Sequence, residues 1–116
     1  MKVIIAGSRN YTVYQTVLDH VDRIVCAHNM VIDEIVSGGA RGVDALGERY
    51  ARDHNIPCKR FPANWDRYGR SAGPRRNRDM AEYGDMLIAF TSGGPGTENM
   101  IRQMQTVQKP VVIIQI

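Results

Sequence analysis

Residues 32–54 read Ile-Asp-Glu-Ile-Val-Ser-Gly-Gly-Ala-Arg-Gly-Val-Asp-Ala-Leu-Gly-Glu-Arg-Tyr-Ala-Arg-Asp-His, and the pattern changes midway. Ile32 to Val36 reads as a short strand, and Ser37-Gly38-Gly39 ends it. Beyond the glycines the period lengthens. Val43, Leu46 and Tyr50 share one face of a helix running to about His54, where Ile56-Pro57 closes it. Strand, glycine-rich turn and helix in direct succession form the unit from which parallel α/β sheets are built.

The same unit recurs on both sides. Residues 2–6 form a short apolar strand stopped by Gly7. Thr12 with Gln15 makes a capping-box pattern before Val13, Val17, Val21, Ile24 and Val25, a helical series that reaches about Asn29. Downstream, residues 58–61 read as a third strand and residues 62–73 as an aperiodic loop, long for a compact domain. Pro74 suits the first turn of a helix to Tyr83 with Gly84 at its end. Met86 to Phe90 is a fourth strand, 91–95 a glycine-rich turn, Thr97 to about Gln108 a helix broken by Pro110, and Val111 to Gln115 a fifth strand.

Strict alternation implies parallel strands with right-handed crossovers. The expectation is one α/β domain over residues 1–116, a Rossmann-like, doubly wound, five-stranded sheet ordered 3-2-1-4-5. In that order the chain reverses between the first and fourth strands, and ligands bind in the crevice at the reversal.

Composition narrows the class. The chain has 116 residues, 43% hydrophobic and 23% charged, which is ordinary for one globular domain. No apolar run reaches the ~18 residues of a membrane span, and the N-terminal apolar stretch is too short for a signal peptide. Cys26 and Cys58 fit no metal spacing, so no metal or other cofactor is expected, and they read as buried free thiols of a reducing cytoplasm. His20, His28 and His54 read as surface residues of helical segments rather than catalytic groups. Net charge is only +3, yet six arginines (Arg60, Arg67, Arg70, Arg75, Arg76 and Arg78) crowd one stretch offset by Asp66 alone. That cluster is either a solvated basic loop or, because it leads into a helix start, a phosphate-binding element.

Four segments fall at the carboxyl ends of successive strands and so face one edge. Gly7-Ser8-Arg9 offers a tight turn, a hydroxyl and a forked cation. In the second turn, Ser37, Gly38, Gly39, Arg41 and Gly42 can bring backbone N–H groups against an anion, and Asp44 either caps the helix or accepts from ligand hydroxyls. Third, Trp65, Tyr68, Arg75, Arg76 and Asn77 interleave aromatics with cations, a pattern suited to a stacked base beside its phosphate; Trp65 reads equally as a lid over the core. Last, Ser92, Gly93, Gly94, Gly96 and Thr97 open a helix and form a second phosphate cradle. Neither glycine-rich turn carries the lysine of a Walker A loop. No G-x-G-x-x-G follows the first strand, and the second ends in Ser37 rather than an acid, which argues against a dinucleotide-dependent dehydrogenase.

Together these motifs resemble the SLOG superfamily, which joins the Smf/DNA-processing-protein-A fold and the Lonely Guy phosphoribohydrolases, and they look closest to its short stand-alone YspA-like branch. The resemblance implies a Rossmann-like fold that binds nucleotides or their derivatives. Three activities occur across the superfamily: release of the base from nucleoside 5′-monophosphates, binding of single-stranded DNA, and sensing of nucleotide signals, including ADP-ribose-type molecules. Arg76 falls where Lonely Guy enzymes have their arginine, and Gly93-Gly94-Pro95-Gly96-Thr97 matches their glycine motif. Their glutamate pair, however, is replaced by Asn99 and Met100. Glu98 stands one place early, about 100° around the helix.

The leading expectation is therefore a binder of a nucleotide, cyclic nucleotide or ADP-ribose-type signal that senses or sequesters it. A phosphoribohydrolase using Glu98 or Asp44 with Arg76 is the alternative, and a single-stranded nucleic-acid module the third reading. The bare final strand and the Lonely Guy resemblance both point to a homodimer or larger homo-oligomer.

Overall fold

The computed structural model describes residues 1–116 and contains one five-stranded, all-parallel sheet in the order β3-β2-β1-β4-β5. The strands are β1 (Lys2–Gly7), β2 (Glu34–Ser37), β3 (Cys58–Arg60), β4 (Met86–Thr91) and β5 (Val111–Gln115). The helices are α1 (Tyr14–Ala27), α2 (Val43–Asp53), the short α3 (Trp65–Tyr68), α4 (Ala72–Tyr83) and α5 (Pro95–Thr106), with a 3₁₀ turn at Gly69–Ser71. Fold class and strand order agree with the sequence reading.

Both faces of the sheet are covered, which is why its central strands are continuously apolar. On one face Val17 and Val21 of α1 and Val43, Tyr50 and Ala51 of α2 pack on Val3, Ile5, Ile35 and Ile88. On the other, Met80 and Ala81 of α4 and Met100 and Met104 of α5 pack on Ile4, Val36, Leu87 and Ala89. Alternate residues of β1 thus serve opposite cores, as period-two geometry requires. The Lys109 ammonium donates to the carbonyls of Ala81, Glu82 and Gly84 at 2.8, 2.9 and 2.7 Å. It satisfies the bare C-terminal end of α4 and complements the negative end of its dipole.

The structure corrects several local expectations. Thr12 caps nothing: α1 begins after Val13 without a side-chain cap, and Gln15 donates to Asp19 instead. β2 begins at Glu34 rather than Ile32, because its partner strand starts at Lys2 and those two residues are in register. Residues 62–73 are largely helical, since Asn64 caps α3 by accepting from the Arg67 N–H at 3.1 Å. α4 consequently starts at Ala72, two residues before Pro74, and α5 starts at Pro95 rather than Thr97. Finally, Cys26 and Cys58 are exposed, not buried. β3 is an edge strand, Cys58-Lys59-Arg60, whose three residues are all exposed, so its thiol lacks the burial of a central strand. No helix is long and apolar enough to cross a membrane.

Candidate functional site at the switch between β1 and β4

The two central strands end side by side, with Gly7 paired to Phe90, and their following loops diverge to opposite faces. A cleft of about 370 Å³ opens there. Its walls are the Gly7–Asn10 turn, Asp44 of α2, Arg76, Asn77 and Met80 of α4, and the turn from Ser92 into α5. Met100 on α5, almost wholly buried, lies at its base.

Local chemistry fixes each wall. Gly42 has φ +77° and its Cα lies against the Ser8 and Arg9 backbone, so any side chain would strike their carbonyls. The next amide, Val43 N–H, donates to the Ser8 carbonyl at 3.0 Å and ties α2 to the turn after β1. Arg76 donates through Nη1 to the Gly38 carbonyl at 2.6 Å and through Nε to Asn77 Oδ1 at 3.0 Å. Asn77 Nδ2 in turn donates to the Gly96 carbonyl at 3.3 Å and to Asn99 Oδ1 at 3.0 Å, linking α4 to the first turn of α5. Helix α5 has Gly94 at its N-cap and Pro at its first turn; no side-chain oxygen caps its leading amides, and Gly94 to Thr97 line the cleft.

Asp44 is only 6% exposed. Its Oδ2 accepts the Ala40 N–H at 3.2 Å. Burial pushes its carboxyl up to about 6, against the opposing pull of the Ala40 N–H and Arg76, with Glu48 adding a smaller upward push. Burial likewise lowers the Arg76 guanidinium, and Arg9 adds to that, while Asp44 holds it up. Gly38 separates the pair: a Cβ there would come within 2.7 Å of both Arg76 Nη1 and Asp44 Oδ2.

A second, wider cleft of about 600 Å³ continues from the first over the ends of β2 and β3. The two share Arg9, Ala40 and Arg76. Gly38, Gly39, Arg41 and Trp65 line the second cleft, whereas Gly7, Ser8, Asp44, Asn77, Ser92, Gly94, Gly96 and Thr97 line the first. Trp65 is 50% exposed, so it does not lid the core.

Other residues singled out in the sequence lie elsewhere. Ser37 is buried beneath its turn, donating to Glu48 and accepting from Gly39 N–H. Tyr68 packs under Arg75, whose guanidinium carbon sits 4.4 Å from the ring centroid, and neither lines a cleft. Gly93 and Glu98 are exposed on the outside of the α5 turn. Lining residues outside the expected ligand-binding set are Ala6, Asn10, Met80, Pro95 and Met100 in the first cleft, Arg60, Pro62 and Ala63 in the second, and Ala40 in both. Arg60 was visible in the basic cluster, Pro95 in the glycine motif and Met100 at a position of the replaced glutamate pair; the others carried no signal of their own. The histidines line neither cleft, and nowhere do three His, Cys, Asp or Glu side chains converge as a metal site.

Fold and cleft define a Rossmann-like domain with its polar turns gathered at the strand-order switch. The family model described as the YspA, cpYpsA-related SLOG family matches residues 1–68, and the chain belongs to that family. It is also similar to the Gene 61 protein of Mycobacterium phage D29, at 32% identity over 122 residues covering 96% of this chain and 94% of that protein. The family match takes in the turns after β1 and β2; the phage relative extends the likeness across Arg76 and α5. No solved structure matches.

The raised carboxyl of Asp44 sets a pH signature. An acid whose folded pKa exceeds its unfolded value of 3.8 favours folding most below that value, and the advantage is lost as pH rises through about 6. The loss amounts to about 3 kcal/mol, because each tenfold change in proton affinity is worth about 1.4 kcal/mol. Glu48, held below its usual range, acts in the opposite sense only below pH 4.5. Urea titrations of the wild type should therefore show stability falling between pH 4.5 and 6.5. Asp44→Asn, which cannot ionise, should flatten that slope; an unchanged slope would show that Asp44 titrates normally.

Proposed function

We propose that this protein binds a nucleotide-derived, phosphate-bearing small molecule in the cleft between β1 and β4 and acts by sensing or sequestering it. One observation carries the reading: the uncapped start of α5, the Ser8 hydroxyl, Arg9, Arg76 and the Asp44 carboxyl converge on a single cleft. Amides at a helix start and guanidinium groups are the usual partners of a phosphate, and a carboxylate beside them accepts from ribose hydroxyls. Nucleotides, cyclic nucleotides and ADP-ribose-type molecules all present that combination. Family membership supports the same nucleotide-related class.

Ligand at a hundredfold excess over its dissociation constant adds about 2.7 kcal/mol, which raises the melting temperature of a domain this size by roughly 10 °C. A thermal-shift panel of mono-, di- and cyclic nucleotides with ADP-ribose should contain such a compound, while free bases and sugars should give none. Arg76→Ala should weaken that compound about ten- to a hundredfold by calorimetry. A panel without any shift at millimolar concentration would remove the reading, and unchanged affinity in the variant would take Arg76 out of the site.

A hydrolytic reading is favoured by one observation, the buried carboxyl of Asp44 inside the same cleft. The Lonely Guy positions for the acid hold Asn99, engaged with Asn77, and the apolar Met100, while Glu98 lies outside. Without a carboxylate there, the cation-like transition state of glycosidic cleavage lacks its stabiliser, and only Asp44 could replace it. Chromatography after long incubation with nucleoside 5′-monophosphates should find no free base. Steady release that disappears in Asp44→Asn would establish a phosphoribohydrolase instead.

We propose further that the protein self-associates. β5 is an edge strand with Ile113 half exposed at its centre, and neither a charged residue nor a covering helix protects that edge. Light scattering should give at least twice the 13.0 kDa chain mass, and a monomer at high concentration would exclude this.

A further inference from the structure

The second cleft differs chemically from the first. Arg9, Arg41, Arg60 and Arg76 line it beside Trp65, and no carboxylate does. Its cations are held in different ways. Glu48 accepts from Arg60 Nε at 3.1 Å and from Nη2 at 2.5 Å, while the Ser37 hydroxyl donates to Glu48 at 2.7 Å. Burial pushes Glu48 up, but the hydrogen bonds from Arg60 and Ser37 with the charges of Arg60 and Arg52 hold it below its usual range; Arg60 is anchored at two nitrogens while Nη1 is left unpaired. Gly39 closes on the stem of the same arginine, where a Cβ would fall 2.8 Å from Arg60 Cδ. Arg41, by contrast, is exposed and makes no hydrogen bond or ion pair, and Arg9 approaches the Trp65 ring at 6.0 Å. The indole is backed by α4, since a Cβ on Gly73 would lie 3.3 Å from its ring.

A base stacked on a half-exposed indole accounts for Trp65 but not for Arg41, which no acid offsets, nor for Arg60 Nη1, which the Glu48 pair leaves free. Guanidinium groups gathered without a carboxylate on the lining suit a phosphate, the anion whose geometry matches their fork. The clefts meet along Arg9, Ala40 and Arg76, so one molecule can occupy both. We infer that the ligand is a nucleotide carrying two separate phosphates, one at the start of α5 and the other, beyond the ribose, between Arg41 and Arg60. The inference rests on the reading of the first cleft as a phosphate site.

The test compares adenosine 5′-monophosphate, adenosine 5′-diphosphate and the 2′,5′- and 3′,5′-bisphosphates by calorimetry on the full chain. The diphosphate and the bisphosphates carry the same number of phosphates and differ in where the second one sits. One bisphosphate should bind about tenfold or more tighter than the diphosphate. Arg41→Gln and Arg60→Gln should each erase most of that advantage, weakening the favoured bisphosphate far more than the diphosphate. Should release of Glu48 unfold the Arg60 variant, Arg41→Gln decides alone, because Arg41 supports nothing else. Equal affinity for diphosphate and bisphosphates would overturn the inference while monophosphate binding kept the first-cleft reading intact. Failure of every nucleotide to bind would overturn both. A short single-stranded oligonucleotide that binds tighter than any bisphosphate and weakens in both variants would overturn it in favour of a nucleic-acid strand.

Discussion

The bond from Val43 N–H to the Ser8 carbonyl, made where the Gly42 backbone lies on Ser8 and Arg9, sets the geometry on which the cleft depends. It locks the start of α2 to the end of β1, the strand buried on both faces at the middle of the sheet. Asp44, one residue further on, therefore has no freedom to leave the cleft. Because α2 also packs on β1 through Gly47, whose Cα closes on Ile5, the constraint is held at two points along the helix. A site built from rigid elements in this way orients its polar groups before any ligand arrives, which lowers the ordering cost of binding.

Electrostatics work against the fold at the same place. Burial disfavours the charged forms of both Asp44 and Arg76, and their mutual attraction recovers only part of that penalty. Each finds further partners, Ala40 N–H for the acid and the Gly38 carbonyl with Asn77 for the base. No buried side-chain polar atom is left without a hydrogen bond. A pair kept partly desolvated beside an open cleft is the arrangement expected where a ligand, rather than the folded chain, gains from the charges. The outlying cluster of Tyr50, His54 and Asp22 makes a useful contrast. There the tyrosine donates to the aspartate at 2.8 Å and stacks on the histidine, joining α1 to α2 on the surface away from both clefts.

The parts legible in the sequence were those governed by period and punctuation. Five short strand-like runs alternating with helical segments, four of them followed by glycine or proline and the last preceded by Pro110, pointed to the strand order, and β5 falls on the residues expected of it. The turns at 7–9, 37–44 and 92–97 were legible because glycine at a strand end has few other uses. What stayed hidden depends on tertiary contact. α3 is four residues long, too short to display a helical period, and only the Asn64 cap announces it. Cys58 reads as a buried thiol although Lys59 and Arg60 follow it, and two charges in a three-residue strand are what an edge position tolerates. Met80 and Met100 read as ordinary core residues, and they are; the cleft happens to open above them. The link from Ser37 through Glu48 to Arg60 spans twenty-three residues and three elements, and no local pattern encodes it.

The exchange of a carboxylate for an amide near the start of α5 bears most directly on chemistry. Asn99 is committed to Asn77, which is itself committed to Arg76, so the amide completes a chain of hydrogen bonds that fixes the Arg76 guanidinium at the proposed phosphate site. A glutamate at position 99 would accept from Asn77 equally well, but it would add a negative charge beside the site where an anion is to bind. The amide supports Arg76 without that repulsion. Met100 at the base of the cleft removes a second charge and substitutes a polarizable apolar floor. Both residues favour holding a phosphate over stabilising a cation at a sugar carbon, and they leave Asp44 as the sole carboxylate able to reverse that preference.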